Sequence, residues 1–324
     1  MIRTTLAALA AAAVLVLPVH AQNFPTKPIS IVVPFAAGGP TDTVARGVAE
    51  AMSRAMGGAS IIVENKPGAG GTIAATDVAR AAPDGHRILI YHIGMSTAPA
   101  LYRKLPFDPL KDFAYIGLVN EVPMTLLTRA NLPVKDVKEL IGYIKANKDK
   151  VTLANAGLGA ASHLCGLLFQ SAIQQDITTV PYKGTAPALT DLMGGQVDIL
   201  CDQSTNTMPQ IKAGKVKVLA VTASKRMEAL PDVPTAAEAG LPGFELGIWH
   251  GLYAPAKTPK PVVERLTQAL QTAMKDPDLN RRFGELGAVS FPAEKQTPDG
   301  LAQHLKAEID KWTPIIKKAG IYAD

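Results

Sequence analysis

The chain has 324 residues, of which 47% are hydrophobic, 19% charged and 5% aromatic. That length predicts about two domains with room for a sizeable core, and an ordinary apolar share excludes a disordered chain. The net charge is +5, with no block of five or six like charges, so no nucleic-acid partner is expected.

The first residues read as an export segment. Arg3 is the sole charge before Lys27, residues 6–17 are apolar, and Pro18, Val19 and Ala21 precede Gln22. This is the order of a signal peptide over 1–21, and twelve apolar residues are too few to span a bilayer, which needs about 20. The mature chain is expected to be soluble and periplasmic.

Residues 29–35 (ISIVVPF) predict a buried strand, followed by a turn at 36–41 (AAGGPT) and a helix over 43–56. A short strand at 60–63, a turn at 65–71, a helix over 72–80 and a strand over 87–92 come next. The pattern then repeats. Strands are expected at 115–119 and 124–129, an amphipathic helix at 134–146, and a strand at 151–155. A glycine turn at 157–159 opens a helix over 162–174. Further strands are expected at 178–182, 197–201, 216–221 and 248–254, with helices at 187–193, 261–275 and 297–319. Alternating strands and helices argue for α/β units with mainly parallel sheets. The last helices lack strands of their own and are assigned to the first unit. The expected division is therefore lobe 1 from 22–123 and 248–324, and lobe 2 from 124–247.

A glycine-rich turn between strand and helix leaves N–H groups at the helix start, where the helix dipole favours negative charge. Two such turns occur, at 36–41 and 157–161, and a cleft between them would suit an anion. The P-loop pattern is absent. The run 157–162 (GLGAAS) resembles a dinucleotide fingerprint but has no acidic residue at the following strand end. No cofactor and no metal are expected. Ser162 and His163 are adjacent, which on a helix does not bring them face to face for nucleophilic chemistry. His92 and His163 sit where a cleft should open. Asp202 follows a strand and reads equally as a ligand acceptor or as a cap of the next helix. Lys183 reads as a carboxylate partner or a solvated turn residue, and Trp249 as a ring-stacking or a hinge-packing residue. Cys165 and Cys201 permit one disulfide or two buried thiols.

Several stretches occur in order: 28–42 (PISIVVPFAAGGPTD), 63–72 (VENKPGAGGT), 105–113 (LPFDPLKDF), 180–198 (VPYKGTAPALTDLMGGQVD) and 231–243 (PDVPTAAEAGLPG). Together they resemble the extracytoplasmic receptors of tripartite tricarboxylate transporters, the Bug family. The resemblance implies a two-lobe, type II-like periplasmic binding protein that closes on a small organic carboxylate. It also implies a receptor, not an enzyme, that serves the membrane subunits of such a transporter, and a monomer is expected. The alternatives are an exported oxidoreductase or hydrolase, or a ligand-sensing subunit for a signalling partner. Carried over, the ligand loops supply Ala36, Ala37, Gly38, Gly39, Thr41 and Asp42 from lobe 1. From lobe 2 they supply Gly157, Gly159, Ser162 and His163, with Lys183, Gly184 and Asp202 beside them. His92 and Ser96 would complete a polar pocket. A Cys165–Cys201 bridge would brace the second-lobe site. Aromatic dicarboxylates, aliphatic dicarboxylates and nicotinate-like acids all remain open as ligands.

Overall fold

The computed structural model describes residues 24–148, 150–320 and 322–323, so the expected export segment lies outside the described residues. Strand β1 (Ile29–Val33) is a β-branched run buried almost throughout. Helix α1 (Pro40–Ala55) starts with proline at its first position and buries Val44, Val48 and Met52 at i, i+4 spacing. Next come β2 (Ile61–Asn65), α2 (Thr72–Ala79), β3 (Arg87–His92) and α3 (Gly94–Leu101). The long β4 (Phe113–Arg129) leads to α4 (Val137–Ala146), β5 (Thr152–Asn155), α5 (Ala161–Ile173), β6 (Thr178–Pro181) and α6 (Thr185–Met193). They are followed by β7 (Ile199–Gln203), α7 (Ser204–Lys212), β8 (Val216–Val221) and β9 (Gly247–Pro255). The chain then forms α8 (Lys260–Ala273), α9 (Pro277–Glu285), the short β10 (Val289–Ser290) and α10 (Pro298–Ala319).

All ten strands connect through β4, in the order β2-β1-β3-β9-β4-β7-β5-β6, with β8 and β10 also pairing to β4. The early part of β4 pairs with β9 and β10, and its later part with β7 and β8. Each half therefore has a parallel triplet, β2-β1-β3 or β6-β5-β7, joined to antiparallel crossing strands. The sheet is mixed rather than mainly parallel, because β4 and β9 run against the triplets they join. Helices cover both faces. One apolar cluster packs α1, α8 and α9 on β1 and β3, while another joins α10 to α3 and continues under α5 in the other half.

Two sequence expectations change here. The separate strands at 115–119 and 124–129 are one strand. Pro123 sits where β4 exchanges β9 for β7 and β8 as partners, a place that tolerates a missing N–H. Helices α3 and α9 were not expected, and α7 was expected only as the unbounded helix that Asp202 could cap. Proline lies inside α3 and α7, and α9 is a nine-residue, mostly polar helix whose apolar face is the single pair Leu279 and Phe283.

Candidate functional site

The two glycine turns face one another across a closed cleft, each touching a neighbouring loop of the opposite half. The Ala36 N–H donates to the Lys183 carbonyl at 3.1 Å, and the Tyr102 hydroxyl lies 3.0 Å from the Leu158 carbonyl. Gly184 adopts φ +152°, and a Cβ there would stand 2.9 Å from the Ala36 nitrogen, so only glycine permits this approach. Between the turns lies a small cavity, lined on one side by Phe35, Pro40, Thr41 and His92 and on the other by Ser162, Thr185, Asp202 and Gln203. It leaves about 10 Å³ for a water-sized sphere, the space of roughly one water.

The starts of α1, α5, α6 and α7 all border this cavity. First-turn N–H groups have no acceptor within their own helix, and four positive dipole ends converge where none of the lining side chains is Lys or Arg. The glycines themselves do not supply the donors. Gly38 N–H is held by Asp42 at 2.9 Å, Gly157 N–H by Asn155 at 2.9 Å, and Gly159 N–H by His163 Nδ1 at 3.3 Å. The donors left facing the cavity belong to the helices that the turns open.

Among the expected residues, Thr41, His92, Ser162 and Asp202 reach the cavity. Ser162 Oγ accepts the Ala156 N–H at 2.8 Å, which leaves its own hydrogen free for the cleft. His92 Nδ1 accepts from Gly94 N–H at 2.9 Å, and burial pushes the ring down to about 3, so it is neutral with its proton on Nε2. Asp202 is 1% exposed and opposite Thr125 in β4. Burial pushes its carboxyl up to about 7, although the Asn206 amide and the Gln203 N–H favour the charged form. Its carboxylate thus holds Asn206 and its own neighbour, while Gln203 stands at the N-cap position of α7.

Other expected residues stand elsewhere. Asp42 points away from the cavity, to Arg46 at 2.9 and 3.0 Å and Asn65 at 2.9 Å. Burial would raise its pKa, but the Arg46, Gly38 and Asn65 hydrogen bonds outweigh this and hold it below the usual range. Ala37 and Gly38 are exposed and border a groove beside α1 and α9 rather than the cavity. Ala36 and Gly39 shape the turn, the Gly39 N–H lying 3.4 Å from the Ala36 carbonyl. Ser96 is buried in α3 and donates to the Ile93 carbonyl at 2.7 Å. The Lys183 side chain is exposed, and its backbone makes the contact to Ala36. His163 is pushed down to about 4 by burial and braces its own turn. Trp249 packs at the crossing, donating to Glu308 at 3.2 Å.

Sequence reasoning missed Thr185, whose buried hydroxyl faces the Asp202 carboxyl, and Gln203, whose Oε1 is buried without a partner among the described residues. Their positions at the starts of α6 and α7 were the available signal, but the start of α7 was placed at Asp202 rather than Gln203. His250 is a further buried residue of this region. It lies directly opposite His92 across the β3–β9 ladder, with ring centroids 6.1 Å apart. Cys165 of α5 and Cys201 of β7 form a disulfide, with Cα atoms 6.1 Å apart. It ties the helix that carries Ser162 to the strand that carries Asp202.

Two α/β halves joined by crossing strands, with helix starts converging on a closed cleft, define a solute-binding protein. The family model described as "Tripartite tricarboxylate transporter family receptor" matches residues 44–321. The chain belongs to this family, whose members are solute receptors and not enzymes. It is 49% identical over 308 residues to a UPF0065 protein of Agrobacterium vitis from the TAR-I ttuE-ttuC' intergenic region, covering 94% of this chain and 89% of that one. The solved periplasmic binding protein BugD is 52% identical with a TM-score of 0.90, over 92% of this chain and 99% of BugD. MatC from Rhodopseudomonas palustris, solved with bound malate, is 45% identical with a TM-score of 0.87, over 90% of this chain and 100% of MatC. The protein is thus a periplasmic-type solute receptor, and among its described residues no helix is long and apolar enough to cross a membrane.

Proposed function

We propose that the cleft captures a small aliphatic dicarboxylate in the periplasm, after removal of the export segment, and that the monomer delivers it to the membrane subunits of a tripartite transporter. The convergence of four helix starts on a cavity whose lining side chains include no Lys or Arg carries this reading. Backbone N–H groups there favour an anion without a competing salt bridge. Thr41, His92, Ser162 and Asp202 are the side chains assigned to ligand contact. MatC, the 45% identical neighbour solved with malate, supports the ligand class. In this reading residues 22–123 with 248–324 form one lobe and 124–247 the other, parting about β4 and β9 to admit the ligand. Closure then follows from tighter binding to the closed arrangement. Calorimetry with malate, succinate, an aromatic dicarboxylate, nicotinate and a neutral sugar tests the proposal. Saturable binding of the aliphatic dicarboxylates is expected, and their failure to bind would sink it.

A further inference from the structure

Thr41 is connected to the crossing strands by a buried chain of hydrogen bonds. Its Oγ1 lies 3.3 Å from His250 Nε2, and His250 Nδ1 lies 3.0 Å from Asn120 Oδ1. His250 and Asn120 are fully buried, and Thr41 is 1% exposed at the cavity wall. The register of β4 against β9 shifts between Leu118, opposite Gly251, and Glu121, opposite Trp249. Val119 and Asn120 therefore face the single residue His250. A bulge of this kind re-aims a side chain, and here the amide oxygen of Asn120 comes to 3.0 Å from His250 Nδ1.

The chain of bonds has a direction. Burial and the neighbouring His92 hold His250 neutral, with one ring proton. A carbonyl oxygen only accepts, so Asn120 Oδ1 places that proton on Nδ1. Nε2 is then an acceptor, and the Thr41 hydroxyl must donate to it. Only oxygen lone pairs remain for the cleft. His92 and Ser162 present hydrogens instead, because each already accepts a backbone N–H. The cleft wall thus carries donors suited to a carboxylate and, beside Asp202 and Gln203 Oε1, an acceptor at Thr41 that a carboxylate cannot use.

We propose that Asn120 is a positioning residue: through His250 it fixes Thr41 as an acceptor, so the cleft favours a carboxylate bearing a hydroxyl or amino hydrogen over its unsubstituted analogue. This rests on the reading of the cleft as a dicarboxylate site. A rotated amide is the competing arrangement, since the Asn120 nitrogen has no partner among the described residues. It would donate to Nδ1, reverse the chain and make Thr41 a donor.

Two measurements decide between these. Two-bond ¹H–¹⁵N spectra of ligand-free protein labelled at histidine should show His250 protonated on Nδ1. Protonation on Nε2 overturns the proposal, whatever binds. Calorimetry then compares L-malate with succinate, which differ by one hydroxyl. The wild type should favour malate by about tenfold, the worth of one hydrogen bond. Thr41→Ser should keep that preference, while Thr41→Val and Asn120→Leu should lose it. Equal affinities in the wild type, with both acids bound, would refute the inference and leave the dicarboxylate reading intact. If neither acid binds, that reading fails, and the ring spectrum still tests the role of Asn120. Should Asn120→Leu not fold, the Thr41 pair and the wild-type spectrum suffice.

Discussion

The two glycine turns do the same work with different chemistry. The turn at 36–41 is locked by charge, through the Asp42 carboxylate that binds Gly38 N–H, Arg46 and Asn65. The turn at 157–161 is locked by neutral groups, Asn155, Ser162 and His163, above a disulfide. In both, the local N–H groups are consumed by the lock and the helix start is what faces the cleft. The difference lies in what the locks respond to. A charge lock fails in acid, while the neutral one depends on covalent and packing support. Asp202, the acid of the cleft itself, has no cation hydrogen-bonded to it among the described residues and responds to pH in the opposite sense to Asp42.

The largest expected effect comes from removing the covalent support. Replacing Cys165 and Cys201 together by alanine should cost about 4 kcal/mol of stability, since the bridge closes a loop with a sequence separation of 36. A urea melt showing less than about 1 kcal/mol would place the strength of the second turn elsewhere. Asp42→Ala should cost about 2 kcal/mol, because it removes the shared acceptor of Gly38 N–H, the Asn65 amide and Arg46, although Gly38 and Arg46 are open to water. Binding should weaken with it, although Asp42 does not line the cavity. Unchanged stability in Asp42→Ala would show that the charge lock is not holding the first turn.

The pH response sharpens the contrast further. Asp202 binds its proton more tightly folded than unfolded, so its contribution is fully present below about pH 4 and is lost as pH rises to about 7. Within that window Asp202→Asn should flatten a fall in stability of about 1.4 kcal/mol per pH unit. Asp42 is held below its usual range, so its contribution is present above about pH 4 and is lost as pH falls through the folded value. Melts of wild type and Asp202→Asn at pH 5 and pH 7 that run parallel would refute the assignment to Asp202. The smallest effect is expected at the cleft wall. Ser162→Ala should weaken dicarboxylate binding by roughly 1–3 kcal/mol, as the loss of a hydroxyl hydrogen bond to a charged group. Unchanged calorimetric affinity would remove Ser162 from the contacts.

Much of the fold was legible. The β-branched run of β1 and the i, i+4 face of α1 identify themselves by period, and the turns between them by glycine and proline. The site was legible as two turns and a few neighbours, of which Thr41, His92, Ser162 and Asp202 border the cavity. Asp42 and Ser96 were indistinguishable from them in sequence. Each is a polar residue beside a strand end or helix start, and only the position of Arg46, Asn65 or the Ile93 carbonyl says where its side chain turns. Helix α7 had no legible bounds, because its start is polar and Pro209 interrupts its pattern, and Gln203, its true N-cap residue, was lost with it.

The sequence by itself determined the alternation of elements, the places of the two glycine turns and, through its ordered motifs, the family. These follow from side-chain period and backbone freedom, which are local. Tertiary structure decided which N–H groups remain free, because each donor takes the nearest acceptor that packing brings to it. It also decided the union of Cys165 with Cys201 and of Asn120 with His250 and Thr41, residues up to 209 positions apart. No period or propensity encodes such a meeting. It exists because β4 and β9 cross between the halves and set the register that brings those side chains together.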